Sequence, residues 1–553
     1  MKKIWWKEDV IYQIYPRSFK DSNGDGIGDL QGIISKLDYL KYLGVDILWL
    51  CPIYQSPNDD NGYDISDYYK IHPEYGTMED FEELLAGLHK RGMKLIMDIV
   101  VNHSSDEHVW FEQSKSSKEN SYRDYYYWKP GKEGGPPNNW KSFFGGSAWE
   151  YDEPTKEYYL HLFAKKQPEL NWENPKLREE FYKILSFWME KGIDGFRMDV
   201  ISLISKRLEF ADTKLGALND VIAQVYSNGP KVHEYIQTMY QKVFSKYDVM
   251  TVGEGPGIST EVGLDYVDEN RGELSMIFHL NHMYLGHGPF GKFDPVPYDW
   301  NDIVDIVLKW DEAMGTSGWI SIFLDNHDFP RLVSRFGNDK EYRVESAKLL
   351  AMMIFTLRGT ACIYQGSELG MSNVHFPNLE DYEDVETHTF YKEFAKRGLS
   401  EADFLKRVHE HGRDNARTPM QWDESEHAGF TTGTPWLNVN PNHKEINAGE
   451  AQNNEDSIFH FYRKLMAYRK QNKTFVYGEF KVITQESKDL FVYERKDEEG
   501  SYIILLNHSD REQKNDLNLA DYELDFYNLV NSEKEKLAPW EGRTYKKKAT
   551  RNL

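Results

Sequence analysis

The sequence predicts an α/β chain: an eight-stranded parallel (β/α)8 TIM barrel with a subdomain inserted after the third strand and an all-β domain at the C-terminal end. Three observations carry this. Short apolar runs alternate with amphipathic stretches through most of the chain, the pattern of repeated β-α units around a parallel sheet. One connection, 104–174, is too long to be a bare loop in a barrel and reads as a functional insertion. The last seventy or so residues switch to two-residue periodicity. At 553 residues the chain also exceeds what one core usually fills.

Taken in order, the strands are Val10-Ile-Tyr-Gln-Ile-Tyr15, Val45-Asp-Ile-Leu-Trp-Leu50, Lys94-Leu-Ile-Met-Asp-Ile-Val-Val101 and Asp194-Gly-Phe-Arg-Met-Asp199. Then follow Val249-Met-Thr-Val252, Ser275-Met-Ile-Phe278, Trp319-Ile-Ser-Ile-Phe-Leu324 and Ala361-Cys-Ile-Tyr364. Between them, Ile33, Leu37, Leu40 and Leu43, then Phe81, Leu84, Leu85 and Leu88, and then Phe181, Ile184, Leu185 and Trp188 recur at helical spacing. The barrel is expected over 1–103 and 175–478, the insertion over 104–174, and a β-sandwich domain over 479–553, where Asp489-Leu-Phe-Val-Tyr493 and Tyr502-Ile-Ile-Leu-Leu-Asn507 are strands.

The net charge of -24, from 90 acidic against 66 basic residues, repels phosphate backbones and anionic membranes, which excludes nucleic acid and membrane as expected partners. The basic run Tyr545-Lys-Lys-Lys-Ala-Thr-Arg551 reads as a solvated terminus. Charges in the first ten residues interrupt any leader-like apolar stretch, and no later run has membrane-spanning length, so a cytoplasmic monomer is expected. Cys51 and Cys362 both sit beside strand-like runs and read as buried thiols.

Parallel barrels carry their chemistry at the C-terminal ends of the strands. Asp98, Asp199, Glu254 and Asp328 fall there, after strands three, four, five and seven. Any one of them could cap a helix. Four like charges gathered at one mouth destabilise the fold and point to function.

Asp98-Ile-Val-Val-Asn-His103, Gly195-Phe-Arg-Met-Asp-Val200, Val252-Gly-Glu254 and Asp325-Asn-His-Asp328 occur in that order, with Gln167-Pro-Glu-Leu-Asn171 in the insertion. With these motifs the chain resembles the α-amylase family of glycoside hydrolases (family 13), and within it the oligo-1,6-glucosidase-like branch. The resemblance covers essentially the whole chain. It implies a glycosidase acting on small oligosaccharides, with Asp199 as nucleophile, Glu254 as acid and then base, and Asp328 holding sugar hydroxyls. Arg197, two residues before Asp199, points to the same side of its strand, and its charge is expected to keep Asp199 ionised. The resemblance also puts Asp60, Tyr63, His103, His327 and Arg413 around the non-reducing glucose, Arg413 pairing with Asp60 to make the enzyme exo-acting. Arg417 stands as an equal structural candidate, while Phe144, Phe163 and Gln167 are expected to line one wall.

Within the branch, Val200 goes with α-1,6 bonds, whereas Thr there goes with α-1,4. Isomaltose, panose and isomalto-oligosaccharides follow as expected substrates. Gly255, Phe329 and Glu169 depart from the branch's usual residues. Gly255 and Phe329 border the leaving-group side and admit a sucrose-converting hydrolase or isomerase as the alternative, although no Arg-rich loop lies between Tyr284 and Trp300. A trehalose-6-phosphate hydrolase would need a basic cluster at the pocket, and none is evident in the sequence. A non-catalytic amylase-like transporter subunit would carry a spanning helix or lose its carboxylates.

A second signal is Asp21-Ser-Asn-Gly-Asp-Gly-Ile-Gly-Asp29. Oxygen ligands at alternate positions with Gly at the sixth match the opening of a calcium loop, while Gly32 replaces the bidentate Glu at the twelfth. A lone structural Ca2+ site, or Mg2+, is expected, with Asp21, Asn23, Asp25, the Ile27 carbonyl and Asp29 as ligands. The oligo-1,6-glucosidase branch has such a site too.

Overall fold

The structure is a computed structural model that describes residues 3–530 and 535–548. Eight parallel strands form one sheet: β1 (Ile11–Ile14), β2 (Ile47–Leu50), β3 (Lys94–Val100), β4 (Gly195–Asp199), β5 (Met250–Gly255), β6 (Met276–His279), β7 (Ser321–Ile322) and β8 (Thr360–Tyr364). Their order is β6-β5-β4-β3-β2-β1-β8-β7, and a parallel bridge from Ile277 to Ile320 closes the barrel. Residues of every barrel strand but β3 and β7 are buried throughout, as expected for strands covered on both faces. At Gly195 a Cβ would sit 1.9 Å from the Met250 carbonyl oxygen, so only glycine lets β4 and β5 approach this closely.

The helices follow their local signals. Met78–Lys90 begins in a Thr77–Asp80 capping box and buries Phe81, Leu84, Leu85 and Leu88. Pro175–Lys191 starts with Asn174 as N-cap and Pro at the first turn, ends on the left-handed Gly192, and buries Phe181, Ile184, Leu185 and Trp188. Trp300–Met314 is capped by Asp299 in the same box arrangement.

Strand limits differ from expectation in two places that matter for the site. The fifth strand runs past Val252 to Gly255, so Glu254 lies within it, paired in register with Phe278. The seventh shrinks from the expected 319–324 to Ser321–Ile322, because Phe323 onward turns out of the ladder into the Asp325–Asp328 loop. Asp98 also lies inside its strand, not after it.

Within 104–174 an antiparallel three-stranded sheet (Trp128–Lys129, Glu157–Leu160, Trp149–Asp152) packs its own cluster, including Trp140, Trp149 and Leu160, against Val200 and Tyr226 of the barrel loops. Past Gly478 the chain forms a five-stranded antiparallel sheet: β9 (Glu479–Val482), β10 (Leu490–Lys496), β11 (Ser501–Asn507), β12 (Tyr522–Tyr527) and β13 (Gly542–Lys547), ordered β9-β10-β11-β13-β12. A two-stranded sheet (Gln513–Lys514, Lys536–Leu537) accompanies it. Of the basic run, Tyr545 and the first two lysines belong to β13, while 549–551 lie outside the described residues. Both cysteines are buried thiols.

Candidate active site

At the C-terminal ends of the strands a cavity of about 130 Å³ is bounded by barrel loops and the insertion. That is room for about four waters, the scale of a single sugar ring.

Its centre is one guanidinium shared by three carboxylates. Arg197, on β4 and 1% exposed, places Nη1 2.7 Å from Asp199 Oδ1 and 3.0 Å from Asp98 Oδ1, and Nη2 2.8 Å from Glu254 Oε2. Asp98 is fully buried beneath the cavity, where Tyr63 Oη and Trp49 Nε1 also donate to it. Asp199 and Glu254 line the cavity. Glu254 Oε2 accepts a further hydrogen bond from the backbone N–H of Val200 (3.1 Å), which leaves Oε1 as the oxygen free to face a ligand. Val200 delivers that N–H from a left-handed conformation (φ 35°, ψ 42°), strained for a β-branched residue and tolerated because β4 and the following turn are fully packed.

Burial raises the pKa of all three carboxyls, and for Asp199 the negative neighbours Glu254 and Asp98 add to the rise, against the pull of Arg197. Arg197 does favour the ionised form of Asp199, as expected of its charge, and burial with two negative neighbours works against it. One positive charge divided among three carboxylates in a dry site favours retention of a proton by the group. Such a pair, one protonated and one charged, is what acid-assisted displacement requires.

Asp328 behaves oppositely. His327, Arg413, Arg417 and Lys292 surround it and hold its pKa well below the usual carboxylate range despite its burial. Arg413 Nη1 lies 3.2 Å and Arg417 Nη2 3.0 Å from its Oδ1. Arg413 also reaches Asp60 at 3.1 Å, closing the floor, and both arginines contact the buried Asp384. His103 and His327 are driven by burial to about 3 and are neutral.

Of the residues singled out in the sequence, Asp60, Tyr63, His103, Phe144, Phe163, Val200, His327, Phe329 and Arg413 join the three carboxylates Asp199, Glu254 and Asp328 around the cavity. Gln167 lies behind that wall, 3.1 Å from Asp60 and 3.3 Å from His103. Arg197 lies beneath the carboxylates. Gly255 is not on the wall: it is inside β5, and a Cβ there would meet Ile258 at 2.5 Å, so its smallness serves packing and not the leaving group. Glu169 pairs in the interior with Lys206 (2.6 Å), joining the insertion to the loop after β4.

Sequence reasoning missed Lys292 and Glu386, which face the cavity as a 2.7 Å ion pair, and Asp384 behind Arg413. Asp384 is the N-cap and Glu386 a first-turn residue of the helix Val385–Lys396, and Lys292 lies in the short strand Gly291–Pro295; a cap and a first-turn acid read as helix-starting signals, so nothing in the sequence marks them for the cavity. Nor was Arg335 visible, whose guanidinium packs 5.4 Å from the Phe329 ring.

In the loop at 21–29, Asp21 accepts hydrogen bonds from the amides of Asn23, Gly24 and Gly26 and from the Thr431 hydroxyl. Asn23 and Asp25 side chains accept from the amides of Asp25 and Ile27. Asp29 accepts from Ser22 and Gly32. The donors are all oxygens, suited to a hard cation. Among the described residues no three acidic, His or Cys side chains gather into a metal cage, so a cation here would need the Asn23 amide and main-chain oxygens as well.

A barrel whose fourth and fifth strands present two carboxyls on a common guanidinium, in a sugar-sized cavity, defines a glycoside hydrolase. The chain belongs to the α-amylase family: residues 13–478 match the family model described as alpha amylase, catalytic domain. It is 52% identical to the oligo-1,6-glucosidase of Parageobacillus thermoglucosidasius, over 99% of both chains. It is 54% identical to the oligo-1,6-glucosidase of Bacillus cereus, over 93% of this chain and 92% of that one. Among solved structures, the trehalulose synthase of Pseudomonas mesoacidophila superposes with a TM-score of 0.95 at 44% identity, covering 99% of this chain and all of that one. Among the described residues no helix is long and apolar enough to cross a membrane.

Proposed function

We propose that this enzyme is a retaining, exo-acting α-glucosidase that releases glucose from the non-reducing end of short α-1,6-linked oligosaccharides such as isomaltose and panose. Asp199 attacks the anomeric carbon as the bond to the leaving oxygen breaks, and Glu254 gives that oxygen its proton. Water, deprotonated by Glu254, then cleaves the glucosyl-Asp199 ester and restores both groups. The observation that carries this is the sharing of Arg197 by the two carboxyls, which suits the spacing of about 5 to 5.5 Å of retaining enzymes and leaves little room for the interposed water of inverting ones. Asp328, His103 and His327 hold the glucose, and the Asp60–Arg413 pair ends the pocket one sugar deep.

The leaving sugar meets Val200 on one side and the Lys292–Glu386 pair on the other, an apolar contact and a donor–acceptor pair for a second pyranose. The names borne by the two curated relatives point the same way. A second reading, sucrose conversion, is favoured by Phe329, whose ring stacks near His287 on the leaving side, and by the similarity to the trehalulose synthase. A phosphorylated disaccharide is less well served, because Glu386 neutralises Lys292, the one lysine on the wall among the described residues. Side-by-side turnover of isomaltose, maltose, sucrose and trehalose 6-phosphate should give the highest kcat/KM for isomaltose, with α-glucose as the first product by NMR. A maltose preference refutes the linkage assignment, β-glucose refutes retention, and trehalulose or isomaltulose among the products establishes the second reading.

The loop at 21–29 is proposed to hold one structural Ca2+ or Mg2+ through Asp21, Asn23, Asp25, the Ile27 carbonyl and Asp29. Treatment with a chelator should lower Tm by about 1 to 2 °C, the shift that about 1 to 2 kcal/mol produces in a chain of this size, and leave kcat near its starting value once the protein is assayed below Tm. An unchanged Tm refutes the site. We place the enzyme in the cytoplasm as a monomer; light scattering tests the latter.

A further inference from the structure

Gln13 lies on β1, a strand that contributes no residue to the reaction described above. Its side chain is fully buried and points to the barrel axis, with Nε2 2.8 Å from Nδ1 of His327 and 3.2 Å from Sγ of Cys51. Its Oε1 is buried and has no hydrogen-bond partner among the described residues. His327 itself is clamped: Tyr63 stacks on one face at 5.1 Å and 6°, Tyr15 at 5.9 Å and 21°, and Trp49 meets it edge-on. Its other nitrogen, Nε2, is 3.2 Å from Asp328 Oδ2.

A neutral imidazole carries one N–H, and which nitrogen bears it is set by what each nitrogen meets. At Nδ1 the Gln13 amide can donate, making Nδ1 an acceptor. Turning that amide over would let Nδ1 donate, but it would leave two buried N–H groups where Oε1 now stands, and orphaned donors are rarer in folded proteins than under-satisfied oxygens. At Nε2 the ionised Asp328 demands a donor, since a lone pair 3.2 Å from a carboxylate oxygen would be repelled. The two ends agree.

We propose that Gln13 is a positioning residue that locks His327 in the Nε2–H form, so that the ring donates toward Asp328 and the bound sugar instead of accepting from it. The rotation of the ring is already prevented by Tyr15 and Tyr63; Gln13 at one nitrogen and Asp328 at the other supply what the aromatic clamp cannot, the choice of nitrogen, and Gln13 does so from a group that does not touch the sugar. The inference rests on reading His327 and Asp328 as the groups that hold glucose, and its test is made on the resting enzyme so that the two can fail separately.

The test uses protein labelled with 15N-histidine, the His327 signals being assigned by their loss in His327→Gln. Wild-type enzyme should show His327 with a protonated Nε2 and a bare Nδ1. Gln13→Glu, whose carboxylate needs a donor, should move the proton to Nδ1 or yield the doubly protonated ring. Gln13→Met, similar in size and without a donor, should lower kcat/KM for p-nitrophenyl α-glucoside roughly tenfold, the weight of one lost hydrogen bond, with most of the change in KM and with Tm preserved. A wild-type ring protonated at Nδ1 overturns the proposal even if neither variant folds. So does a Gln13→Met enzyme that keeps the Nε2–H pattern and wild-type KM, whatever its Tm, because that outcome leaves Gln13 only a packing role. If the tautomers behave as stated while no glucoside is turned over, the functional reading fails and the positioning role stands.

Discussion

Asp199→Asn abolishes glucoside turnover, with kcat falling on the order of 10⁴-fold or more, and does so without loss of Tm. The first half follows from removing the atom that bonds to the anomeric carbon. The second follows from the crowding of Asp98, Asp199 and Glu254 on Arg197. The pKa of Asp199 is raised in the folded protein, mainly by burial and then by its negative neighbours. A raised folded-state pKa means that this group's contribution to stability is fully present below its unfolded pKa of about 3.9 and is lost as pH rises through the folded value. At neutral pH the ionised carboxylate therefore burdens the fold, and its amide relieves Arg197 of one of three claims. Thermal melts from pH 5 to 8 should show the variant equal to or above wild type, the gap widening with pH. A Tm several degrees below wild type, or turnover within a hundredfold of it, contradicts the assignment. The same raised values place the acid limb of the wild-type kcat/KM profile above the ordinary carboxylate range of about 4.

Glu254→Gln divides substrates by leaving group. Isomaltose, whose departing oxygen needs a proton, should lose about 10² to 10⁴-fold in kcat/KM. 2,4-Dinitrophenyl α-glucoside, whose phenolate leaves unaided, should still react in the first step. Without a base for water, the glucosyl-Asp199 ester then accumulates, and stopped-flow should show a burst of about one dinitrophenolate per site followed by a stall. Equal losses on both substrates would remove Glu254 from the proton-transfer role. Because Glu254 Oε2 is occupied by Arg197 and the Val200 amide, the amide variant is expected to keep its place, so the effect reports chemistry and not displacement.

The motif carboxylates illustrate how far sequence reading reaches. Asp199 and Glu254 sit on strands whose apolar runs announce themselves, and neighbouring strands of a parallel barrel bring their ends together by register: Val252 pairs with Arg197, two residues short of each carboxylate. His103, Asp60 and Arg413 likewise come from runs that stand out locally. Lys292, Glu386 and Asp384 do not, because the short strand and the helix start that carry them have ordinary local signals, and only packing of those elements over the barrel turns these side chains to the cavity. Gly255 shows the converse error: its place beside Glu254 suggested a wall position, but side chains in a strand alternate, and its neighbour's inward direction turns it toward Ile258.

The order and period of apolar residues, with caps and glycines at the ends, determined the barrel, the insertion and the strand ends on which the motif carboxylates stand, since these are local properties that each segment carries with it. What only the folded chain decided is how charge is apportioned: that one guanidinium serves three carboxylates, that Asp328 is held low among arginines while burial raises the carboxyls around Arg197, and that a first-strand glutamine reaches a histidine 314 positions away. Electrostatic energy depends on distances between groups and on the water excluded around them, and neither exists until the strands close.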